Sequence, residues 1–307
     1  MFSSPPHTAI QQYLILVKKN IHLSVNLNKI ALLRNARNEG IPDLITASKV
    51  IIANGADGLT VHPRPDRRHI HFEDVSTLST LAKKQSVEFN IEGNPLAHPR
   101  PGYPGLLEIV KQTHPTQVTL VPDEDQQLTS NHGWSLATMS SQLKTVMSDL
   151  KKLDTPEHPL RISLFMDAEP PPAKNSSHTK SHSDTPKNIP VTTTTPHPFV
   201  LAKSWGADRI ELYTKSYVDA YATAKEKTVL MTYTAASDLA VKEKLLVNAG
   251  HDLNQKNLYT LATHLHGLKE VSIGHALIND ALYDGLAKTV RSYKNILLRA
   301  SDPLAHL

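Results

Sequence analysis

Ala53-Asn-Gly-Ala-Asp-Gly-Leu-Thr-Val-His-Pro-Arg-Pro-Asp-Arg-Arg-His69 carries a helix end, a turn, a strand and a cationic loop in one run. Leu44 to Ala53 has helical spacing, and Asn54-Gly55 makes a suitable helix stop. Leu59 to Val61 is a short strand. His62 stands where the strand ends, and Arg64, Arg67, Arg68 and His69 follow in one loop. Ser204-Trp-Gly-Ala-Asp-Arg-Ile-Glu-Leu-Tyr213 repeats the pattern. In both segments a helix ends at Gly, an Asp turns the chain and a strand begins.

Extended outward, the pattern covers the chain. Strands are expected at His22 to Leu27, Leu59 to Val61, Val87 to Glu92, Gln117 to Pro122, Leu160 to Met166, Asp208 to Tyr213, Leu245 to Asn248 and Glu270 to Gly274. Helical spacing separates most of them, at Leu44 to Ala53, Phe72 to Lys84, Gly105 to Thr113, Leu136 to Leu153, Phe199 to Trp205, Val218 to Thr228, Thr234 to Lys244 and Leu258 to His264. A terminal helix is expected over Ala281 to Ala300. Strand–helix alternation implies a parallel sheet. Eight such units favour a closed (β/α)8 TIM barrel with additional helices, and no G-x-G-x-x-G follows the first strand.

The chain has 307 residues, no cysteine and a net charge of +4. Without cysteine there is no disulfide framework, thiol nucleophile or thiolate metal site. The charge is too weak to argue for nucleic acid, but it suits small anionic substrates. Tyr13-Leu-Ile-Leu-Val17 is too short to span a bilayer and lacks the flanks of a signal peptide. A soluble cytoplasmic protein without membrane association is expected. Residues 1–21 form an N-terminal extension and 22–307 the barrel. A Pro-, Ser-, Thr-, Lys- and His-rich stretch at about 169–197 is expected to be a disordered insertion. Asp123 to Trp134 is a long polar loop that could serve as a lid.

Asn26, His62, Glu92, Glu211, His251 and His275 all lie at or just past the C-terminal ends of expected strands. In a (β/α)8 barrel those ends converge on one mouth, where active sites are found. Imidazole exchanges protons near neutral pH, and a partly desolvated carboxylate does the same. Guanidinium forks suit phosphate oxygens. Gly250-His251 and Gly274-His275 end the last two strands, where many barrels hold phosphate on backbone amides. His69-Ile-His71 offers no third ligand of matching spacing, so no metal site is expected.

These segments are similar to a known family. Val25-Asn-Leu-Asn-Lys-Ile-Ala-Leu-Leu-Arg-Asn-Ala-Arg37, Gly55 to His69, Asn90-Ile-Glu92, Leu120-Val-Pro122, Val247-Asn-Ala-Gly-His251 and Ile273-Gly-His275 resemble the pyridoxine 5′-phosphate synthases. The likeness runs from about Ser24 to Arg299. It implies a barrel that condenses 1-deoxy-D-xylulose 5-phosphate with 3-amino-2-oxopropyl phosphate, releasing phosphate and water. It implies no organic cofactor, small phosphorylated substrates and a homo-octamer. By the same resemblance His62 and Glu92 are acid–base residues, His251 is a proton donor and Glu211 supports the transition state. Arg64, His69 and Thr129 resemble contacts to the deoxyxylulose phosphate. Asn26, Arg37, Gly274 and His275 resemble contacts to the aminoketone phosphate.

The chain departs from the family pattern in four places. Asn28-Lys29 replaces Asp-His, Asp252 replaces a glycine after His251, and Tyr213 replaces a His. The lid's Thr-Thr-Glu-Gly-Gly is here Thr129-Ser-Asn-His-Gly133. Asn28, Lys29 and Asp252 thus stand at substrate-binding positions with changed chemistry. The alternative they raise is a degenerate barrel that binds phosphorylated metabolites without turnover. A further alternative makes Lys29 a Schiff-base lysine.

Overall fold

The structure, a computed structural model, describes residues 20–37, 39–136, 140–168 and 196–302. Eight parallel strands close into a barrel in the order β1 to β8. They are β1 (His22–Asn26), β2 (Gly58–Val61), β3 (Glu88–Gly93), β4 (Gln117–Leu120), β5 (Arg161–Met166), β6 (Arg209–Leu212), β7 (Leu246–Ala249) and β8 (Leu268–Ile273). β8 pairs back onto β1, with Ser24 opposite Ser272 and Val25 opposite Ile273. The expected fold is therefore the observed one. The N-terminal extension and the insertion lie almost wholly outside the described residues.

A two-residue alternation runs through the strands. Leu23, Val25, Leu59, Val61, Phe89, Ile91, Val118, Leu120, Ile162, Leu164, Ile210 and Leu212 are buried and join one apolar cluster with the helices. The residues between them are polar and meet one another inside the barrel. Ser24 and Thr60 hydroxyls are 2.7 Å apart, Asn90 Nδ2 donates to Thr60 at 3.4 Å, and Thr119 donates to Asn90 at 3.1 Å. Below this layer Arg209 donates to Glu270 at 2.8 Å and to Asn248 at 3.2 Å. Successive side chains of a strand point to opposite faces. One face of each strand therefore builds the shell against the helices, and the other fills a polar interior.

The repeated turn has a specific task. Asp57 N donates to Leu23 O at 2.8 Å, and its carboxylate accepts from Leu23 N at 2.8 Å. Asp208 does the same toward Ile162, with both bonds at 2.9 Å. Each Asp thus locks the start of its strand to the neighbouring strand. Each also pairs with a helix lysine, Lys294 for Asp57 and Lys151 for Asp208. Gly55 and Gly206 hold φ of +100° and +96°, which favours glycine.

Eleven helices are described around the barrel. The first two are α1 (Asn28–Asn35) and α2 (Leu44–Ala53). α3 (Phe72–Gln85) opens on a capping box between His71 and Asp74. α4 (Leu106–Thr113), α5 (Ser140–Lys151) and α6 (Pro198–Ser204) follow. Several expected bounds move. α5 is shorter than Leu136 to Leu153. The stretch expected as Val218 to Thr228 and Thr234 to Lys244 is instead α7 (Lys215–Ala220) and α8 (Glu226–Lys242), broken where Ala222 takes φ +59°. α9 is Leu258–His264. The terminal helix is two helices, α10 (His275–Asp284) and α11 (Leu286–Ala300), because Gly285 at φ +80° stops the first. Among the described residues no helix is long and apolar enough to cross a membrane.

Candidate active site

The inward positions that continue the strand alternation build the barrel mouth. Asn26, His62, Glu92, Val121, Phe165, Glu211 and Gly274 each stand two residues beyond a polar or small interior position. They line one cavity of about 550 Å³, together with Lys29, Arg64, His69, Thr129, His251, Asp252 and His275. The six polar strand-end residues expected to converge therefore do so.

The centre is His62 and Glu92. His62 Nδ1 is 3.8 Å from Glu92 Oε2, and His62 Nε2 is 4.0 Å from Asp123. Burial drives the His62 imidazole down to about 3, and the Arg64 charge adds to this. Burial drives the Glu92 carboxyl up to about 8, and Asp123 and Glu270 add to that. Desolvation disfavours the charged form of either group. At neutral pH His62 is thus a free base and Glu92 is largely an undissociated acid. Glu211, buried near Glu92 and Glu270, is raised well above the usual carboxylate range. Among the described residues no arginine pairs with Glu92. Its described partner is Asn26, whose amide donates to it at 3.2 Å.

A chain of amides orients this pair. Asn28 N donates to Asn26 Oδ1 at 3.0 Å, and Asn28 Oδ1 accepts from His62 N at 2.9 Å. Asn28 therefore fixes both Glu92, through Asn26, and the His62 backbone.

His69 faces the same cavity. Its Nδ1 accepts from Ile70 N at 3.0 Å, so the ring is the Nε2–H tautomer. Burial, with the nearby His62 and Arg64, drives it down to about 2. His71 instead caps α3, so the His69 and His71 side chains serve different elements. On the opposite wall Thr129 Oγ1 is 2.8 Å from His251 Nε2, and His251 Nδ1 is 2.9 Å from Asp252.

The cationic loop does not present all of its guanidinium groups to the cavity. Arg64 donates to Asp123 at 2.5 Å, to Glu124 O at 2.7 Å and to Gln127 O at 3.2 Å. Arg68 donates to Gln127 O at 2.8 Å and to Asp125 O at 2.9 Å. Both arginines tie down the polar loop after β4. Arg37 is not brought to the cavity: its side chain is 81% exposed and pairs with Glu39. Asp123 and Phe165, which strand-end inspection had not singled out, line the site. Both continue the two-residue alternation, Phe165 from Ser163 and Asp123 from Thr119 and Val121, and that signal could have found them.

The sequence profile described as "Pyridoxal phosphate biosynthesis protein PdxJ" matches residues 23–183 and 192–299. The chain is 46% identical over 277 residues to a pyridoxine 5′-phosphate synthase of Xanthomonas oryzae pv. oryzae, covering 90% of this chain and 96% of that protein. It is 45% identical over 281 residues to a pyridoxine 5′-phosphate synthase of Xylella fastidiosa, covering 92% and 96%. The chain belongs to the pyridoxine 5′-phosphate synthase family.

Among solved structures, the tryptophan synthase alpha chain from Legionella pneumophila matches with a TM-score of 0.56 at 14% identity, covering 94% of each chain. Thiamine phosphate pyrophosphorylase from Pyrococcus furiosus matches at 0.52 and 10% identity, covering 92% of this chain and 98% of that one. At such identities the likeness concerns the barrel alone. In this member of the pyridoxine 5′-phosphate synthase family the substituted positions Asn28, Lys29 and Asp252 all line the cavity. Tyr213 packs on His251, with ring centroids 5.4 Å apart.

Proposed function

We propose that this chain is a pyridoxine 5′-phosphate synthase of vitamin B6 biosynthesis. It would condense 3-amino-2-oxopropyl phosphate with 1-deoxy-D-xylulose 5-phosphate, and close the pyridine ring with loss of phosphate and water. The observation that carries this is the meeting of His62, Glu92, Glu211 and His251 in one cavity of a family member. Ring closure needs amine attack on a ketone, then several proton transfers and a loss of water.

The residues divide that work by protonation state. Neutral His62 accepts a proton from the attacking amine or from carbon. Undissociated Glu92, 3.8 Å away, returns one to the oxygen that leaves. A positioned acid or base supplies roughly 10²–10⁴ in rate. His251, on the far wall, is the second donor. Neutral Glu211 offers a hydrogen bond to developing negative charge without repelling a phosphorylated substrate. His69 Nε2–H and Thr129 supply contacts for one phosphate, and the Gly274–His275 start of α10 suits the other, since a helix N-terminus favours anions. This division needs no organic cofactor. By family resemblance the working assembly is a cytoplasmic homo-octamer, whose mass light scattering reads directly.

A binding protein without turnover is the second reading. Lys29 and Asp252 favour it, because each changes the charge of the cavity wall. Incubation of the pure protein with both substrates separates the two. Pyridoxine 5′-phosphate detected by mass spectrometry, with equimolar phosphate released, supports the synthase. Saturable substrate binding without product supports the binding protein.

A further inference from the structure

Two departures from the family pattern, Tyr213 and Asp252, meet on one imidazole. Asp252 Oδ2 is 2.9 Å from His251 Nδ1, and Thr129 Oγ1 is 2.8 Å from His251 Nε2. The Tyr213 ring packs edge-on at 68°, and Phe165 packs edge-on with centroids 6.4 Å apart. Thr214 Oγ1 donates to the His251 carbonyl. Asp252 takes φ +67°, which Asp, Asn and Gly adopt more readily than other residues.

We propose that Asp252 is a positioning residue for His251: its carboxylate holds the ring as the Nδ1–H tautomer and supports the imidazolium, leaving Nε2 as the atom that works in the cavity. This rests on the proposed role of His251 as proton donor. An ionised carboxylate only accepts, so the facing Nδ1 must carry hydrogen. In the neutral ring Nε2 then accepts from the Thr129 hydroxyl. When Nε2 takes a proton, Thr129 turns from donor to acceptor, and the N–H stays on the same vector. A carboxylate that fixes tautomer and orientation without taking the proton does the same in Ser-His-Asp sites.

Burial opposes ionisation of Asp252, but the His251 bond and the charges of Lys215 and His275 outweigh it and hold the carboxyl below its usual range. Tyr213 also meets Asp252, and Lys215, Asp167 and Asp219 surround Tyr213 in turn. Glu211 stands on the strand next to β7, and Lys29, His62, Arg64, Arg68, His69, Glu92 and Asp123 line the same cavity. A glycine at 252 has no side chain to offer the ring. The negative charge that would otherwise repel a phosphate is here committed to an imidazole.

Nitrogen-15 NMR of the full chain with labelled histidine tests this directly, with His251 assigned by the signal lost in His251→Gln. The wild type shows the Nδ1–H tautomer, and Asp252→Asn and Asp252→Gly each raise the Nε2–H population. Both replacements tolerate the positive φ, and circular dichroism confirms the fold. In steady state Asp252→Asn loses at least about tenfold in kcat, within the range a positioned proton donor supplies, without a raised KM for either phosphate. An unchanged tautomer in both variants overturns the proposal. So does a variant with unchanged or higher kcat, which would leave Asp252 as an anion-repelling residue only. A wild type without turnover overturns the synthase assignment instead, and the NMR still decides the pairing.

Discussion

His62 Nδ1 and Glu92 Oε2 are 3.8 Å apart, yet burial drives the two groups in opposite senses, the imidazole to about 3 and the carboxyl to about 8. A charged pair would have been mutually stabilised. Here each group is neutral at pH 7, and a proton gained by His62 as Glu92 gives one up leaves two opposite charges side by side rather than a lone buried ion.

Glu92→Gln removes the acid and keeps the shape. The rate should fall by about 10²–10⁴. Stability should also change with pH in a defined sense. The folded carboxyl lies above its ordinary 4.5, so its stabilising contribution is present below pH 4.5 and is lost as pH rises through about 8. The melting temperature of the wild type should therefore fall relative to the variant across that window. Parallel melting curves would show that Glu92 is not held neutral.

The buried imidazoles act on the acid side. His62 and His69 lie below their ordinary 6.5, at about 3 and about 2. The unfolded chain then binds more protons than the folded one below pH 6.5, and stability falls with acid. His69→Gln should flatten this slope, as chemical denaturation between pH 4 and 7 would register. A slope equal to that of the wild type would mean that His69 protonates freely in the fold.

Much of this is legible in the sequence. The repeated Gly-Ala-Asp turn marks a strand–helix unit, and the alternation of eight strands with helices implies the barrel. The strand-end His62, Glu92, Glu211 and His251 converge because a closed parallel barrel brings strand ends to one rim. What the sequence hid was the use of each charge. Arg64 and Arg68 look like phosphate forks in a linear chain, but their partners, Asp123 and the carbonyls of Asp125 and Gln127, are some 60 residues away. Arg37 lies beyond the end of α1 and points to solvent, which motif position alone could not reveal. Helix breaks at Ala222 and Gly285 depend on a positive φ that periodicity does not register.

The buried pairing of Arg64 with Asp123 sets a further expectation. Removing one partner of such a pair leaves an uncompensated buried charge, which costs about 3–5 kcal/mol. Arg64→Ala should be destabilised to that extent in urea, and the loop after β4 should become sensitive to protease. Arg64→Ala combined with Asp123→Asn should recover part of the loss. Equal destabilisation in the single and double variants would show that the pair is not the anchor.

The turn aspartates should matter for folding only. Asp57→Ala strands Leu23 N–H, at a cost of about 1–3 kcal/mol, whereas Asp57→Asn keeps an acceptor. Activity per folded molecule should be unchanged in both, because the turn lies at the end of the barrel opposite the cavity. A fall in kcat/KM without a fall in stability would contradict this.

The central claim is that two anion sites flank one proton-transfer centre within a single cavity. A crystal soaked in inorganic phosphate tests it most directly. Two anions are expected inside the mouth, one against His69 and Thr129 and one on the backbone amides at Gly274 and His275, with His62 and Glu92 between them. Phosphate found only on the outer surface, or on the opposite end of the barrel, would contradict it.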